Sequence, residues 1–323
     1  AVSGSPHLIA FTDGACGSAP VHASSAFHNT FAAARHAAMR AAAFVFAAVA
    51  ARADAIAPVV QSRALSPEQL NVALTSLSLQ PEHLRCISSG LHNRSQFGED
   101  LTLLPYLQAI TGGRPGKFVE IGALDGITYS NTLMYEKCLG WDGLLIEGNP
   151  DSARKLLQSG RLNSKFEASA ICKGAGFVPM TKGGGAVAGE VDTMSQQEQT
   201  KYAGRKDFNL TVQVPCREMR AIMDDALLPS SSDALTFLSL DVEGAELKVL
   251  GTFDPARFSL IMVEVLPDAD GRLSGALKSM DAHMRAAGMT RVTRGPLQVV
   301  GPFNYVYATP NARARFADRR LQY

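Results

Sequence analysis

The chain has 323 residues, a formal net charge of +1 and 46% hydrophobic residues, the composition of an ordinary globular protein with length for one large core. A charge so near zero gives no general pull toward nucleic acid or an anionic membrane, and a single Trp among modest aromatic content argues against a stacking platform for single strands. Five scattered cysteines (Cys16, Cys86, Cys138, Cys172, Cys216) with no C-x-x-C form neither a zinc pattern nor a dense disulfide scaffold, and are expected to be mostly buried thiols.

The first sixty residues stand apart. They are rich in Ala, Ser and His, with only Asp13 and Asp54 as acids; no Glu precedes Glu68 and no Lys precedes Lys117. Met39 opens "MRAAAFVFAAVAARADA", with Arg40 as a basic start, an apolar run over 41–51 and small residues at Ala53 and Ala55. That is the layout of a secretory signal peptide, and the run is shorter than the roughly 20 apolar residues of a membrane span. The expectation is translation from Met39, a signal peptide or short anchor within 1–55, and a protein of the secretory pathway. An Ala- and Arg-rich organelle transit peptide and a plain alanine-rich helix are the alternatives. The sequons at Asn93-Arg94-Ser95 and Asn209-Leu210-Thr211 agree with a secretory route. Residues 56–94 read as a helical lead-in or stalk, with helix starts at "SPEQL" (66–70) and "QPEHL" (80–84).

From Ser95 strands and helices alternate, and 95–323 is expected to be the catalytic domain. "SQFGEDLTLLPYLQAI" predicts a helix capped by Ser95, Lys117–Gly122 a strand and Asn131–Leu139 a helix. A strand at 143–148, a helix at 150–160 and a third strand in "SKFEASAIC" follow. The polar, glycine-rich stretch 182–208 is expected to be a mobile excursion. Then come a strand and helix in "LTVQVPCREMRAIMDDAL", the apolar strand "LTFLSLD" (235–241), a short helix in "AELKVLGTF" and the strand "FSLIMVEV". A helix in "RLSGALKSMDAHMRAAG" and a last strand "NYVYA" close the pattern. Apolar strands separated by helices predict a doubly wound, mostly parallel α/β sheet covered on both faces. Ligands of such sheets sit beyond the carboxyl ends of the strands, near the switch in strand order.

Acids gather at those ends: Glu120 and Asp125 around the glycines of "EIGALDG", Glu147 after the second strand, and Asp241, Glu243 and Glu246 in "DVEGAE". Glu147 lies about 20 residues past the glycine loop, the spacing at which a carboxylate takes ribose hydroxyls. This suits any adenosine cofactor. Charge separates the candidates: Glu120 and Asp125 would repel a pyrophosphate, but attract the ammonium and sulfonium of S-adenosylmethionine. S-adenosylmethionine is therefore favoured over NAD. A turn without function, its acids facing solvent, is the alternative.

The segments "SQFGEDLTLL", "FVEIGALDGITYSNTLMYEKCLGWDGLLIEGNP", "VPCREMRAIM" and "LTFLSLDVEGAELKVL" together resemble the FkbM-type methyltransferases, a Rossmann-like, S-adenosylmethionine-dependent family, over residues of about 95–310. The resemblance implies a seven-stranded sheet whose last strand runs antiparallel. It also implies methyl transfer, usually to an oxygen of a sugar or other small hydroxylated acceptor. Residues 1–94 and 182–208 fall outside it, so acceptor choice is not implied.

With that resemblance, Glu120, Gly122, Asp125 and Gly126 would form the methionine-side loop, followed by Ser130, Asn131 and Thr132, whose other role is helix capping. Glu147 would hold the ribose. Asn149 would add a nucleoside contact or shape the turn before Pro150, and Ala168 and Ser169 would lie at the adenine edge or simply end a strand. Tyr129 would line the pocket or pack at its edge. Methyl transfer needs a base for the acceptor hydroxyl: Asp241 is the first candidate and Glu243 the second, while Glu246 suits the first turn of a helix. Glu264 could touch the acceptor. His283 is expected to be a surface or packed residue. No metal is assigned, a divalent cation between the clustered acids being the lesser alternative. The partner expected is a small-molecule or glycan acceptor. The competing readings are a methyltransferase-like binding or cargo protein without turnover, and a nicotinamide oxidoreductase.

Overall fold

The apolar runs of the sequence become strands whose ends are set by the next polar or glycine residue. In the computed structural model, which describes residues 79–231, 234–267, 273–298 and 300–323, they are β1 (Lys117–Ile121), β2 (Asp142–Ile146), β3 (Ser164–Glu167), β4 (Ala170–Ile171), β5 (Ala175–Thr181), β6 (Thr211–Arg217), β7 (Leu235–Leu240), β8 (Phe258–Glu264), β9 (Thr290–Arg291) and β10 (Asn304–Ala308). The helices among these residues are α1 (Pro81–Ser88), α2 (Glu99–Thr111), α3 (Leu133–Leu139), α4 (Pro150–Leu156), α5 (Gln196–Tyr202), α6 (Met219–Asp225), α7 (Glu246–Leu250), α8 (Leu273–Ala286) and α9 (Pro310–Asp318). The signal- or transit-like segment 1–55 and the lead-in up to residue 78 lie outside the described residues.

Seven strands among the described residues form one sheet in the order β3-β2-β1-β7-β8-β10-β9. β3, β2, β1, β7 and β8 are mutually parallel, and β10 runs antiparallel to β8 and β9, as the family resemblance implied. Successive residues of β8 point to opposite faces. Leu260 and Met262 join a core covered by α1, α2, α3 and α9, with Phe316 fully buried there. Ile261 and Val263 join a second core under α6, α7 and α8, around Met219, Ile222, Met280 and Met284. The chain order reverses between β1 and β7. That is the switch point, and Gly122, Glu147, Asp241 and Glu264 all stand at strand ends on its carboxyl side.

Several elements differ from expectation. The stretch 164–172 is two strands: β3 stays in the main sheet, and β4 leaves to pair with β6 in a three-stranded sheet ordered β4-β6-β5. β5 went unseen because Gly176 and Pro179 interrupt its pattern. Pro179 is tolerated because β5 is an edge of the small sheet. Helix α2 begins after Gly98, whose φ is +82°. Ser95 instead exchanges hydrogen bonds with Asp100, its hydroxyl donating to Oδ1 at 2.6 Å and accepting from the backbone N–H at 3.3 Å. The terminal helix α9, whose N-cap Thr309 accepts from the Ala312 N–H, was also unforeseen.

The cysteines expected as free thiols are paired. Cys86 of α1 is bonded to Cys138 of α3, and Cys172 to Cys216 of β6; Cys16 lies outside the described residues. The stretch 182–208, expected to be mobile, is built against the fold. It contains α5, Thr181 and Val191 donate backbone hydrogen bonds to Gly189 and Pro179 at 3.0 and 2.8 Å, and Glu190 is ion-paired with Lys248 of α7.

Candidate functional site

Each glycine of the loop after β1 answers a contact. Gly122 (φ +82°) passes so close to the end of β7 that a Cβ there would lie 1.7 Å from the carbonyl oxygen of Asp241. Gly126 (φ +76°) leaves no more room, since a Cβ would meet Leu156 Cδ1 at 2.6 Å. Between and after them Leu124 (φ 51°) and Tyr129 (φ 60°) hold the left-handed conformation, which is uncommon for side-chain-bearing residues and concentrates at functional sites.

The loop's acids are bonded to the loop itself. Both oxygens of Glu120 are engaged from within: Ser130 Oγ donates at 2.8 Å and Thr132 Oγ1 at 2.6 Å to Oε2, and the Asn131 N–H donates at 2.7 Å to Oε1. Asp125 accepts from the N–H groups of Ile127 (2.9 Å) and Thr128 (2.6 Å) and from the Thr128 hydroxyl (2.8 Å). Partial burial pushes its carboxyl up, but the Thr128 and Ile127 hydrogen bonds outweigh that and hold it below the ordinary aspartate value. Both residues shape the loop. Three donors leave each carboxylate one of its roughly four acceptor positions, so both can shape the loop and still meet the cationic end of a cofactor, as the sequence led one to expect.

Arg161, which the sequence did not single out, locks this loop from beneath. It is 1% exposed. Its Nε donates to Glu136 Oε2 at 2.7 Å, Nη1 to the Gly126 carbonyl at 2.9 Å and Ser130 Oγ at 3.1 Å, and Nη2 to Thr132 Oγ1 at 2.9 Å. Glu120 Oε2 lies 4.0 Å from Nη1. An arginine in the turn "SGRLN" carries no signal that distinguishes it from a surface one; only the fold supplies Glu136 and Glu120.

At the end of β2, Glu147 is buried, its Oε2 accepting from the Leu124 N–H and its Oε1 from the Asn149 N–H, both at 2.7 Å. Burial raises its pKa to about 7. A carboxylate has about four acceptor positions, so Glu147 keeps room for a further donor. Asn149 does not keep such capacity. Its Oδ1 caps α4 through the N–H groups of Asp151 and Ser152, and its Nδ2 donates to the carbonyls of Thr181 and Lys182 at 3.0 Å. Its side chain is a helix cap and a strut to β5, which is the turn-shaping role the sequence offered as the alternative. Ser169 is also committed, its buried hydroxyl donating to Glu167 at 2.6 Å.

Asp241, Glu243 and Glu264 meet where β7 and β8 end side by side, Leu240 being paired with Val263. One carboxylate oxygen from each lies within 4.8 Å of the others, a group close enough to share a proton or a cation. Asp241 lies open at the floor of a cleft with protein on most sides. Exposed as it is, its carboxyl has enough protein packed around it for desolvation to raise its pKa, and the Glu120 charge adds to the rise. Glu264 is pushed well above the ordinary glutamate value by burial and then by Asp241, Glu243 and Glu246. Glu246 is spent on its own turn, accepting from the N–H groups of Val242 and Gly244 at 3.1 Å; burial raises it to about 7. Glu243 has φ 56° and packs under the segment once expected to be mobile, where a Cβ on Gly189 would come 3.1 Å from its own Cβ.

The cleft above Asp241 and Glu264 is walled by Phe97, Glu99, Tyr129, Asn131 and Asn304. Asn131 Nδ2 donates to Ser239 Oγ at 3.0 Å, while its buried Oδ1 has no protein partner. Glu99 accepts from the Phe97 N–H (2.7 Å) and Asn304 Nδ2 (3.0 Å), and burial raises it to about 7. His283 is not among the lining residues. Of the residues the sequence nominated, Gly122, Asn131, Glu147, Asp241 and Glu264 converge at the switch point, with Glu243 beside them.

A family model described as the methyltransferase FkbM domain matches residues 120–289, more than half of the chain. No curated protein matches. Similar solved structures include a methyltransferase FkbM from Methylobacillus flagellatus KT (12% identity, 74% of this chain and 58% of that one, TM-score 0.36). Others are an O-methyltransferase from Bacillus cereus in complex with SAH (14%, 72% and 90%, TM-score 0.35) and a methyltransferase from Geobacter sulfurreducens (14%, 79% and 100%, TM-score 0.34). The chain spans 58% of the length of the Methylobacillus protein. At these identities and TM-scores the likenesses say nothing about the reaction.

Proposed function

The chain belongs to the FkbM methyltransferase family, and from that premise we propose that it methylates a hydroxyl oxygen of a sugar or another small hydroxylated acceptor, using S-adenosylmethionine. The observation that carries the reading is the pairing of Glu147, with spare acceptor capacity at the end of β2, and the open carboxyl of Asp241 across the glycine loop at the end of β7.

The residues present fit the cofactor. Glu147 would take the ribose hydroxyls, and the backbone around Gly122, held against the Asp241 carbonyl, would border the amino-acid end. Asn131, with its buried, unpartnered Oδ1, would face the same end. When bound, the cofactor supplies a methyl group on a positively charged sulfur. The chain's own work is to hold the acceptor oxygen about 3 Å from that methyl and to take its proton. Asp241 is the base, on the floor of the cleft. Glu243 forms the neighbouring wall. Phe97 and Tyr129 offer flat apolar surface, and Asn304 and Glu99 polar edges, which suits a neutral polyol.

The two disulfides support a compartment that oxidises thiols, in line with the secretory reading of residues 1–55. Among the described residues no helix is long and apolar enough to cross a membrane.

The test is transfer of tritiated methyl groups to a panel of neutral saccharides, with a thermal shift on adding S-adenosylhomocysteine. A shift in the wild-type protein that is lost in Glu147→Ala supports the reading. No shift at saturating ligand, or an equal shift in both proteins, sinks it.

A further inference from the structure

The acids at the ends of β7 and β8 lack what every other buried acid near the site has. Glu120, Glu147, Glu246 and Glu99 each accept from at least two protein donors. Glu264 faces Asp241, and its buried Oε2 has no hydrogen-bond donor. Asp241 and Glu264 bring carboxylate oxygens within 4.8 Å of each other; a carboxylate oxygen only accepts, and two carboxyl groups this close disfavour the ionisation of both. Among the described residues, the titratable groups facing the pair are acidic or neutral: Glu243 from the loop after β7, Glu246 from the start of α7, Glu120 from β1, Glu147 from the end of β2, Glu99 from α2 and Tyr129 from the loop after β1. No basic side chain lines the cleft among the described residues. The nearby Arg161 and Lys248 are turned to Glu136 and Glu190.

We propose that Asp241 and Glu264 hold one proton between them and act together as a single base for the acceptor hydroxyl. Glu264 is then a positioning residue that acts through Asp241. In the resting pair one carboxyl is protonated and one ionised. As the oxygen–methyl bond forms and the sulfur–methyl bond breaks, the O–H electrons stay with oxygen and the proton moves to the ionised carboxylate. The sulfur leaves as a neutral thioether and the pair ends with two protons. Repulsion between the two groups makes the ionised member a stronger base than an isolated aspartate. The proposal rests on the methyltransferase reading for its reaction, but not for its proton.

That proton is measured first in the protein without ligand, by carboxyl carbon NMR titration of the wild type, Asp241→Asn and Glu264→Gln. In the wild type one member should titrate above the ordinary carboxylate range, and removing either should lower the other's midpoint by about one pH unit or more. Independent titration in the ordinary range, or a Glu264 curve unchanged by Asp241→Asn, overturns the pair. So does saturable binding of Mg²⁺ or Mn²⁺ that Glu264→Gln abolishes, because the carboxyls would then be holding a cation. In turnover, Glu264→Gln should keep affinity for S-adenosylhomocysteine within about twofold while kcat falls about tenfold or more and its acid limb moves to lower pH. An unchanged pH profile overturns the role. Failure of the wild type to bind S-adenosylhomocysteine sinks the methyltransferase reading instead, and leaves the titration result standing.

Discussion

Two carboxylate groupings lie within one crevice and are built in opposite ways. Beneath the glycine loop, Glu120 and Glu136 are buried with Arg161, two hydroxyls and a backbone N–H, and Glu136 Oε1, which has no hydrogen-bond donor, lies 3.5 Å from Lys137 Nζ. At the ends of β7 and β8, Asp241, Glu243 and Glu264 each bring a carboxylate oxygen within 4.8 Å of the others, and Glu264 Oε2 is buried without a donor. Satisfied buried charge fixes a shape; unsatisfied charge stores free energy that chemistry can use. The loop acids face a buried guanidinium, whereas the strand-end acids face one another.

The contrast can be broken most forcefully at Arg161. Arg161→Met leaves Glu136 and Glu120 buried without their cation and should cost about 3–5 kcal/mol of stability by urea unfolding; a loss under about 1 kcal/mol would mean the network is not what holds the loop. The next effect is pH-dependent. Burial raises Glu99, Glu147 and Glu246 from 4.5 to about 7, so the folded state binds protons more tightly than the unfolded chain. Their contribution is fully present below about 4.5 and is lost as pH rises through about 7. Unfolding free energy should fall across that window by an amount on the order of a few kcal/mol, and a flat or rising profile would contradict the assigned burial. Third, Glu147→Gln, which replaces a charged acceptor, should weaken S-adenosylhomocysteine binding about tenfold to a hundredfold by calorimetry. Smallest, and opposite in sign, Glu264→Gln should stabilise the protein above pH 7 by about 0.5–2 kcal/mol, since it relieves like charges. Destabilisation there would erase the difference between the two groupings.

The sequence carried the sheet because uninterrupted apolar runs such as "LTFLSL" and "FSLIMVE" have few other ways to be buried. It carried the position of the acids Glu147, Asp241 and Glu264 at the carboxyl ends of those strands. Other features depend on partners that only the fold supplies. Glu120 and Asp125 sit in the glycine loop and bond to the residues that follow them, contacts that charge counting does not show. Arg161 reads as a surface residue until Glu136 is brought to it. β5 was hidden by its own Pro179, and the disulfides by separations of 52 and 44 residues without pattern.

The Cys86–Cys138 bond gives the loop a remote dependence on its surroundings. It ties α1 to α3, and α3 begins directly after the Ser130–Thr132 turn that Glu120 holds. Closing a 52-residue loop removes chain freedom worth up to about 4 kcal/mol by the entropic argument. Protein prepared in a reducing cytosol and protein matured in an oxidising lumen should therefore differ in how firmly the methyl-donor loop is anchored. Thiol status belongs beside pH and salt among the conditions fixed before any rate is compared.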